Sequence, residues 1–382
     1  MTVRVNKPEF NIREKLSELE RPIGLKGSEL MRAETTQEAR DFVSAGRKNK
    51  IINGSMIIDQ RHSGASNTNG NGYHTDRFRT QRYADQLVQT YQQVADGPPG
   101  FTYSLKVTTT TPETTVDSGN YLSVYNKMEG YDLQDLAYGT STPKTITVSF
   151  YVKSSIAGTF GYTVYRPDTQ VRAINKTYTI NNANTWERKT ITLEGDSVQA
   201  IGNANTDNWW NCWHLMSGTN YEGNVSTAWN AYNGQNWVGY DIDDTVCTTS
   251  GATWQITGVQ LEVGKNATDF EHRSYGEELA LCQRYYFKLS NSRLVAGYKR
   301  HDTSSNFQME SPVPMRASPT ATLLVDGSFT NMQANFNTTQ SSPNVYQWSG
   351  HKFMFQVAST WASTHTFIPS WESFTAEFSA EL

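Results

Sequence analysis

Three groups of side chains carry types that could do chemistry. The densest is aromatic, with Trp209, Trp210, Trp213, Tyr221, Trp229, Tyr232 and Trp237 inside 29 residues. Large flat rings stack on the faces of sugars, and they also fill the interiors of β-sandwiches, so this group is either a ligand platform or a core. Its most loop-like part, Asn230–Trp237 (NAYNGQNW), offers Tyr232 and Trp237 for stacking, with Asn230, Asn233, Gln235 and Asn236 for hydrogen bonds. The second group is acidic: Asp241, Asp243 and Asp244 in DIDD are hard oxygen ligands of the kind Ca²⁺ takes. The string lacks the glycine and the terminal glutamate of a calcium loop, so a solvated acidic turn is the competing reading. The third group is Cys212, Cys247 and Cys282, spaced 35 residues apart. An odd set at that spacing fits no CxxC or Cys/His pattern and reads as reduced packing residues.

Catalytic patterns are missing. The seven histidines, His62, His74, His214, His272, His301, His351 and His365, form no HExxH or HxH string. GxSxG, GxGxxG and GxxxxGK[ST] are absent too, which removes nucleophile elbows and phosphate loops. Glycoside hydrolysis needs only two carboxylates at a set separation, and sequence spacing does not reveal such a pair. The expectation is a protein that is not an enzyme and holds no cofactor beyond a Ca²⁺ ion at Asp241, Asp243 and Asp244.

The elements that must position these residues are mainly strands. In a chain of 382 residues with 18% charged and 12% aromatic side chains, there is enough apolar material for a real core. Phe101, Tyr103, Leu105 and Val107 alternate with polar residues, as do Ile146, Val148, Phe150 and Val152. Ile191 with Leu193, and Val259, Leu261 and Val263, repeat that period of two, separated by turn-rich strings such as Asp96-Gly97-Pro98-Pro99-Gly100. Many short strands over so long a stretch predict a jelly roll or β-sandwich at 51–273, with Ser63–Gly72 (SGASNTNGNG) an exposed loop. Tyr275–Phe287 breaks the pattern. Leu279, Cys282, Tyr285 and Tyr286 are spaced for one helical face, so 274–286 is expected to be a helical connector. A smaller β domain is expected over 287–382, closed by alternation from Phe374 to Leu382 against strands around Ala321–Val325 and Phe353–Val357.

The first fifty residues differ in kind. Nineteen of them are charged, against 51 of the remaining 332. Asn11 with Glu14 is a capping box, and Ile12, Leu16 and Leu19 make one apolar stripe before Pro22 stops the helix. So short a helix is marginal alone and needs a partner, which self-association or docking would supply. A second box at Thr35 and Glu38, with Gly46 as a C-terminal cap, completes a helical adaptor over 1–50. The net charge of −4 argues against nucleic acid, and no run of about 18 apolar residues exists to enter a membrane.

Several strings together resemble those of a known family. RVNKPEFNIREKLSEL and the later INGSMIIDQR, Ile52–Arg61, are similar to the N-terminal module of structural proteins of tailed phages, marine and cyanobacterial ones in particular. STAWNAY and WQITGVQLEVGKNATDFEHRSYGEELALCQRYY resemble the closing strand and exit segment of the jelly-roll module in phage fibres and appendages. PVPMRASPTATL, Pro312–Leu323, is similar to a segment of the terminal β domain that often follows. The resemblance covers residues 1–61 and 226–286. It implies a tail fibre or head/tail appendage made in the bacterial host cytoplasm, localised to the virion and assembled as a homotrimer. Residues 1–50 would then join other virion proteins while the outer domains act as an adhesin for a host surface polysaccharide. It also implies that Trp229 and Trp254 belong to a shared scaffold. The rival readings are a structural decoration without a receptor and a polysaccharide-degrading tailspike.

Deleting Met1–Lys48 is expected to leave soluble β domains that no longer join virions. Normal incorporation of the truncated chain, read by immunoblot of purified particles, would contradict the attachment role.

Overall fold

The computed structural model describes residues 47–292, 296–301, 304–324, 334–335, 344–349, 352–358, 360–361, 367–369 and 374–382. The chain divides into two units, Met1–Lys48 and Asn49–Leu382. Ile12, Leu16 and Leu19, with the helices expected around them, lie outside the described residues.

The second unit begins with twelve strands. They are β1 (Tyr73–Thr75), β2 (Phe78–Tyr83), β3 (Val88–Val94), β4 (Ser104–Thr111), β5 (Tyr121–Glu129) and β6 (Ile146–Ser154). They continue as β7 (Gly158–Arg166), β8 (Arg172–Ile180), β9 (Glu187–Leu193), β10 (Asp207–Ser217), β11 (Asn230–Ala231) and β12 (Thr253–Val263), with a helical turn α1 (Thr245–Thr248) before the last. Two antiparallel sheets result, ordered β1-β2-β5-β10-β7-β8-β11 and β3-β4-β12-β6-β9. Their facing sides share one core, because period-two alternation sends one set of side chains inward from each strand. Ile146, Val148, Phe150 and Val152 of β6 meet Leu122 and Val124 of β5 and Trp209 and Trp213 of β10 in that core, all fully buried. The protein is thus a mainly β, jelly-roll-type sandwich, as the alternation predicts. One strand starts later than expected: Phe101 sits in the Pro98–Phe101 turn, its N–H donating to the Pro98 carbonyl at 2.9 Å, and β4 opens only at Ser104.

The strings INGSM and ITGVQLE meet in space. Val259 N donates to the Gly54 carbonyl at 2.9 Å, and a Cβ at Gly54 would lie 2.1 Å from the Val259 carbonyl oxygen. Asn49 Nδ2 donates to the Val259 carbonyl at 3.1 Å, and its Oδ1 accepts from Leu261 N. Asn53 Nδ2 spans the Ile58 and Asp76 carbonyls at 2.8 Å each, while its Oδ1 takes the Ile58 N–H. A bulge interrupts the β12 ladder between Thr257 and Gln260, and Gly258 there has φ +62°, where a side chain would be strained.

After β12 the helix α2 (Tyr275–Gln283) is capped by Ser274, whose hydroxyl accepts from Glu277 N. Its buried members are Glu278 and Cys282 rather than a Leu279–Tyr286 stripe. Tyr286 instead opens β13 (Tyr286–Ser292). Then follow β14 (Ala296–His301), β15 (Ser304–Glu310), β16 (Thr320–Leu324), β17 (Ala334–Asn335), β18 (Asn344–Ser349), β19 (Lys352–Ala358), β20 (Thr360–Trp361), β21 (Phe367–Pro369) and β22 (Phe374–Ser379). β22 lies between β13 and β16, with the Phe287 and Phe378 rings stacked at 4.7 Å. The expected neighbour at Phe353–Val357 belongs to β19 in another sheet, where it pairs with β15; β13 takes that place because the chain leaves α2 directly beside β22.

Charged groups buried between the sandwich and β22 join the two. Arg77 is 2% exposed, lies 3.5 Å above the Tyr285 ring, and donates to the Lys127 carbonyl and the Glu381 carboxylate. Arg61 lies 3.6 Å above Tyr286 and pairs with Glu381 at 3.0 Å and Asp76 at 3.3 Å. Burial pushes the Asp76 carboxyl up to about 7, against the pull of Arg61 and the Gln60 amide. A carboxyl raised in the folded state holds its proton better there than in the unfolded chain. Its contribution is therefore fullest below the ordinary 3.8 and is lost as pH rises to about 7. The melting temperature of Asp76→Asn, measured against the parent across that window, is expected to improve relative to it as pH rises. A pH-independent difference would contradict the buried, proton-holding carboxyl.

Candidate functional site

The outer face of the seven-stranded sheet carries aromatic rings where a solvated sheet would carry polar residues. In β5, Leu122, Val124 and Met128 point into the core, so Tyr121, Ser123, Tyr125 and Lys127 take the opposite face. In β10 the same rule splits adjacent tryptophans: Trp209 and Trp213 are fully buried inside, and Trp210 stands outside, half-buried. Register lines these residues up in rows. Trp210 lies between Lys127 of β5 and Tyr165 of β7, and Tyr121 lies beside Tyr83 of β2. Tyr83 stacks on Tyr121 at 5.2 Å; Tyr125 stacks on Trp210 at 5.6 Å; Trp210 meets Tyr165 at 5.0 Å, and Tyr165 meets Tyr232 edge-on at 5.1 Å. The rings form a belt over four adjacent strands. Tyr83, at 57% exposure, is its open end, and Trp210, Tyr165, Tyr221 and Tyr232 are half-buried.

Polar groups fix the rings. Lys127 Nζ lies 3.8 Å from the centre of the Trp210 ring and 2.6 Å from the Asp207 carboxylate, which also accepts from Trp210 Nε1. Burial lowers the Lys127 pKa, and Asp207 pulls it back. Burial also raises the Tyr232 phenol to about 12 and the Tyr165 phenol in the same direction. Beyond Tyr83 the belt opens into a cavity of about 480 Å³, lined by Asn71, Arg82, Asp85, Asp117 and Asn120 among others.

Trp237 is the keystone of the face and not a contact on it. At 5% exposure it sits edge-on to Tyr121, Tyr125, Tyr165, Trp210, His214 and Tyr232, with ring centres 5.3 to 6.3 Å away. This corrects its expected stacking role: the loop folds down onto the sheet, held by Thr163 Oγ1 donating to the Trp237 carbonyl and Asn175 Nδ2 to the Asn236 carbonyl, both at 2.8 Å. Asn236 is fully buried with it. Asn230, Asn233 and Gln235 are exposed, and Tyr232 is half-buried. Part of that polarity serves the loop itself, since Asn233 Oδ1 accepts from Asn236 N and Asn230 Nδ2 donates to the Ala228 carbonyl. Trp229 at 8% and Trp254 at 0% exposure are core residues.

Sequence spacing misses Tyr83, Tyr121, Tyr125 and Tyr165, which lie outside the 29-residue cluster. The available signal is phase: in YLSVYNKME both tyrosines occupy positions that an apolar-in, polar-out strand gives to polar residues.

Asp241, Asp243 and Asp244 do not form a metal set. Among the described residues no three His, Cys, Asp or Glu side chains stand together as one. Asp243 Oδ1 accepts from Thr245 N at 2.9 Å, its other oxygen lies against Gly158, and Asp244 precedes α1. The carboxylates are thus spread along a turn, as expected where three like charges are not drawn together. All three cysteines are free and buried.

No protein-family pattern matches the chain, and sequence comparison with characterised proteins finds no match. Solved structures are similar to part of the chain at low identity. The enzymatically active domain of tailspike protein 4 from bacteriophage CBA120 is 12% identical, with TM-score 0.30, over 56% of this chain and 21% of that one. A family 11 carbohydrate-binding module of a Clostridium thermocellum cellulosomal cellulase is 8% identical, with TM-score 0.28, over 53% of this chain and 98% of that one. A family 61 carbohydrate-binding module in complex with β-1,4-galactotriose is also 8% identical, with TM-score 0.28, over 57% of this chain and all of that one. At such values no residue of theirs is carried over to this chain.

Trp237→Ala is expected to cost about 3–5 kcal/mol, because it opens a cavity under six rings. Chemical denaturation of the purified variant measures this; a loss below about 1 kcal/mol would mean the ring is not a core residue.

Proposed function

We propose that the chain is a binding protein of a phage virion, a tail fibre or head/tail appendage whose jelly-roll sandwich holds a host surface glycan across its aromatic belt. The observation that carries the glycan reading is the set of rings Tyr83, Trp210, Tyr165 and Tyr232, partly open on the outer face of one sheet. Trp210, Tyr165 and Tyr232 pack against the buried Tyr121, Tyr125 and Trp237 and remain partly open, as does Tyr83 beside Tyr121. Each sugar unit presents an apolar face to a ring, and its hydroxyls find donors and acceptors in Asn230, Asn233 and Gln235 along one rim and in Asn71, Arg82, Asp85 and Asn120 beyond Tyr83. The reading is of binding rather than catalysis. Asp207, the carboxylate against Trp210, is committed to Lys127 and the indole N–H, whereas glycoside hydrolysis needs a free acid and a second carboxylate facing it. The virion setting, the homotrimer and attachment through residues 1–50 rest on the sequence resemblance.

A glycan array probed with the full-length protein tests the reading. A hit should weaken about 2- to 10-fold in Trp210→Ala and in Tyr83→Ala, the range of one stacked ring, with melting temperature nearly unchanged for the exposed Tyr83. A blank array for the intact protein would favour the structural decoration.

A further inference from the structure

The opposite sheet carries a second group of rings that the belt does not use. On β6, alternation sends Phe150 and Val152 inward and leaves Ser149, Tyr151 and Lys153 on the outer face of the five-stranded sheet. Register sets Tyr151 directly opposite Arg188 of β9 and Thr257 of β12, beside the Gly258 bulge. Phe101 comes down from the Pro98–Phe101 turn, and Phe270 and His272 from the segment after β12. Phe101 stands at the centre of the four rings, 5.0 Å from Phe270, 5.3 Å from Tyr151 and 5.3 Å from His272. Gly258 is the floor: a Cβ there would meet Phe101 Cζ at 2.8 Å and Tyr151 Cδ2 at 2.9 Å. The residue with no side chain and left-handed φ is what lets these rings line a cavity of about 220 Å³. Bulges that re-aim side chains in this way are over-represented beside functional sites.

The rim is polar and carries both signs. Arg188 is exposed and fixed by donating to the Thr268 carbonyl and to Ser149 Oγ, and Asp269 faces the same cavity. Aromatic walls below, with a guanidinium, a carboxylate, an imidazole and a hydroxyl above, match a ring that is apolar on its face and hydroxylated at its edge. An aromatic side chain of a partner protein would match the walls but offer no hydrogen bonds to the polar rim. The volume lies below the roughly 300–1,000 Å³ of pockets that hold drug-sized ligands, so one ring fits and an oligosaccharide does not.

We propose that Phe101, Tyr151, Phe270 and His272, with Arg188 and Asp269, form a second binding site, for a single pyranose unit, on the sheet opposite the belt. It is independent of the belt, and it makes the protein bivalent toward a surface that displays many sugars.

Saturation-transfer NMR on the full-length protein tests this, with the methyl glycosides of glucose, galactose and N-acetylglucosamine as probes at millimolar concentration. At least one probe should give saturation transfer with the parent, and its affinity should fall about tenfold or more in Arg188→Ala and Phe270→Ala. Arg188 is exposed, so its variant keeps the test valid should Phe270→Ala fail to fold. No transfer from any of the three probes overturns the site. So does a probe affinity that is unchanged in both Arg188→Ala and Phe270→Ala, which would place the binding elsewhere.

Discussion

A guanidinium at 2% exposure governs how this fold is held. Arg77 cannot be buried without partners, because removing one member of a buried ion pair costs about 3–5 kcal/mol. Its partners come from three parts of the chain: the Lys127 carbonyl in β5, the Tyr285 ring after α2, and Glu381 beyond β22. It also has φ +69° in the tight β1–β2 connection, an uncommon conformation for an arginine that persists because everything around it is fixed. Lys127 links this anchor to the aromatic face of the sheet. Its backbone is held by Arg77 on one side, and its ammonium orients Trp210 and Asp207 on the other. The rings are therefore held by the same strand that ties the sandwich to the C-terminal sheet.

The two outer faces are built differently. The seven-stranded sheet presents several rings packed against Trp237 of the loop that folds down onto them. The five-stranded sheet presents one small box with a glycine floor. Between them lies a core shared by both sheets, so a substitution such as Trp209 or Trp213 to a smaller residue would disturb both faces at once, whereas changes at Tyr83 or Arg188 act on one.

Much of the fold is legible in the residues, and much of the site is not, for one reason. Alternation in Ile146–Val152 or Val259–Val263 names a strand and its buried phase unambiguously, since only one phase is apolar. Trp209 and Trp210 defeat the same rule: both phases carry tryptophan, and only pairing with Lys127 and Tyr165 shows which ring is outside. Trp237 was legible as important but not as buried, because a loop that folds onto a sheet has the same composition as one that reaches into solvent. Tyr83, Tyr121, Tyr125 and Tyr165 lie up to 82 residues apart in sequence and converge only through strand order β2-β5-β10-β7. Similarly, INGSM and ITGVQLE are recognisable strings, but that one is seated on the other follows from the Gly54–Val259 approach alone.

That approach also has a timetable. Asn49 and Leu261 are hydrogen-bonded partners 212 positions apart, and the residues seated with them, Ile51 and Met56, are fully buried only once β12 is in place. On a ribosome adding about 5–20 residues per second, the partner emerges some 10–40 s after the segment that awaits it. For that interval Ile51 and Met56 are exposed, and β12, which joins β4 to β6, is still missing from the middle of its sheet. The sandwich is thus a structure that closes last at its centre, and a nascent chain stalled before residue 261 would offer two open sheet edges for mispairing with its neighbours.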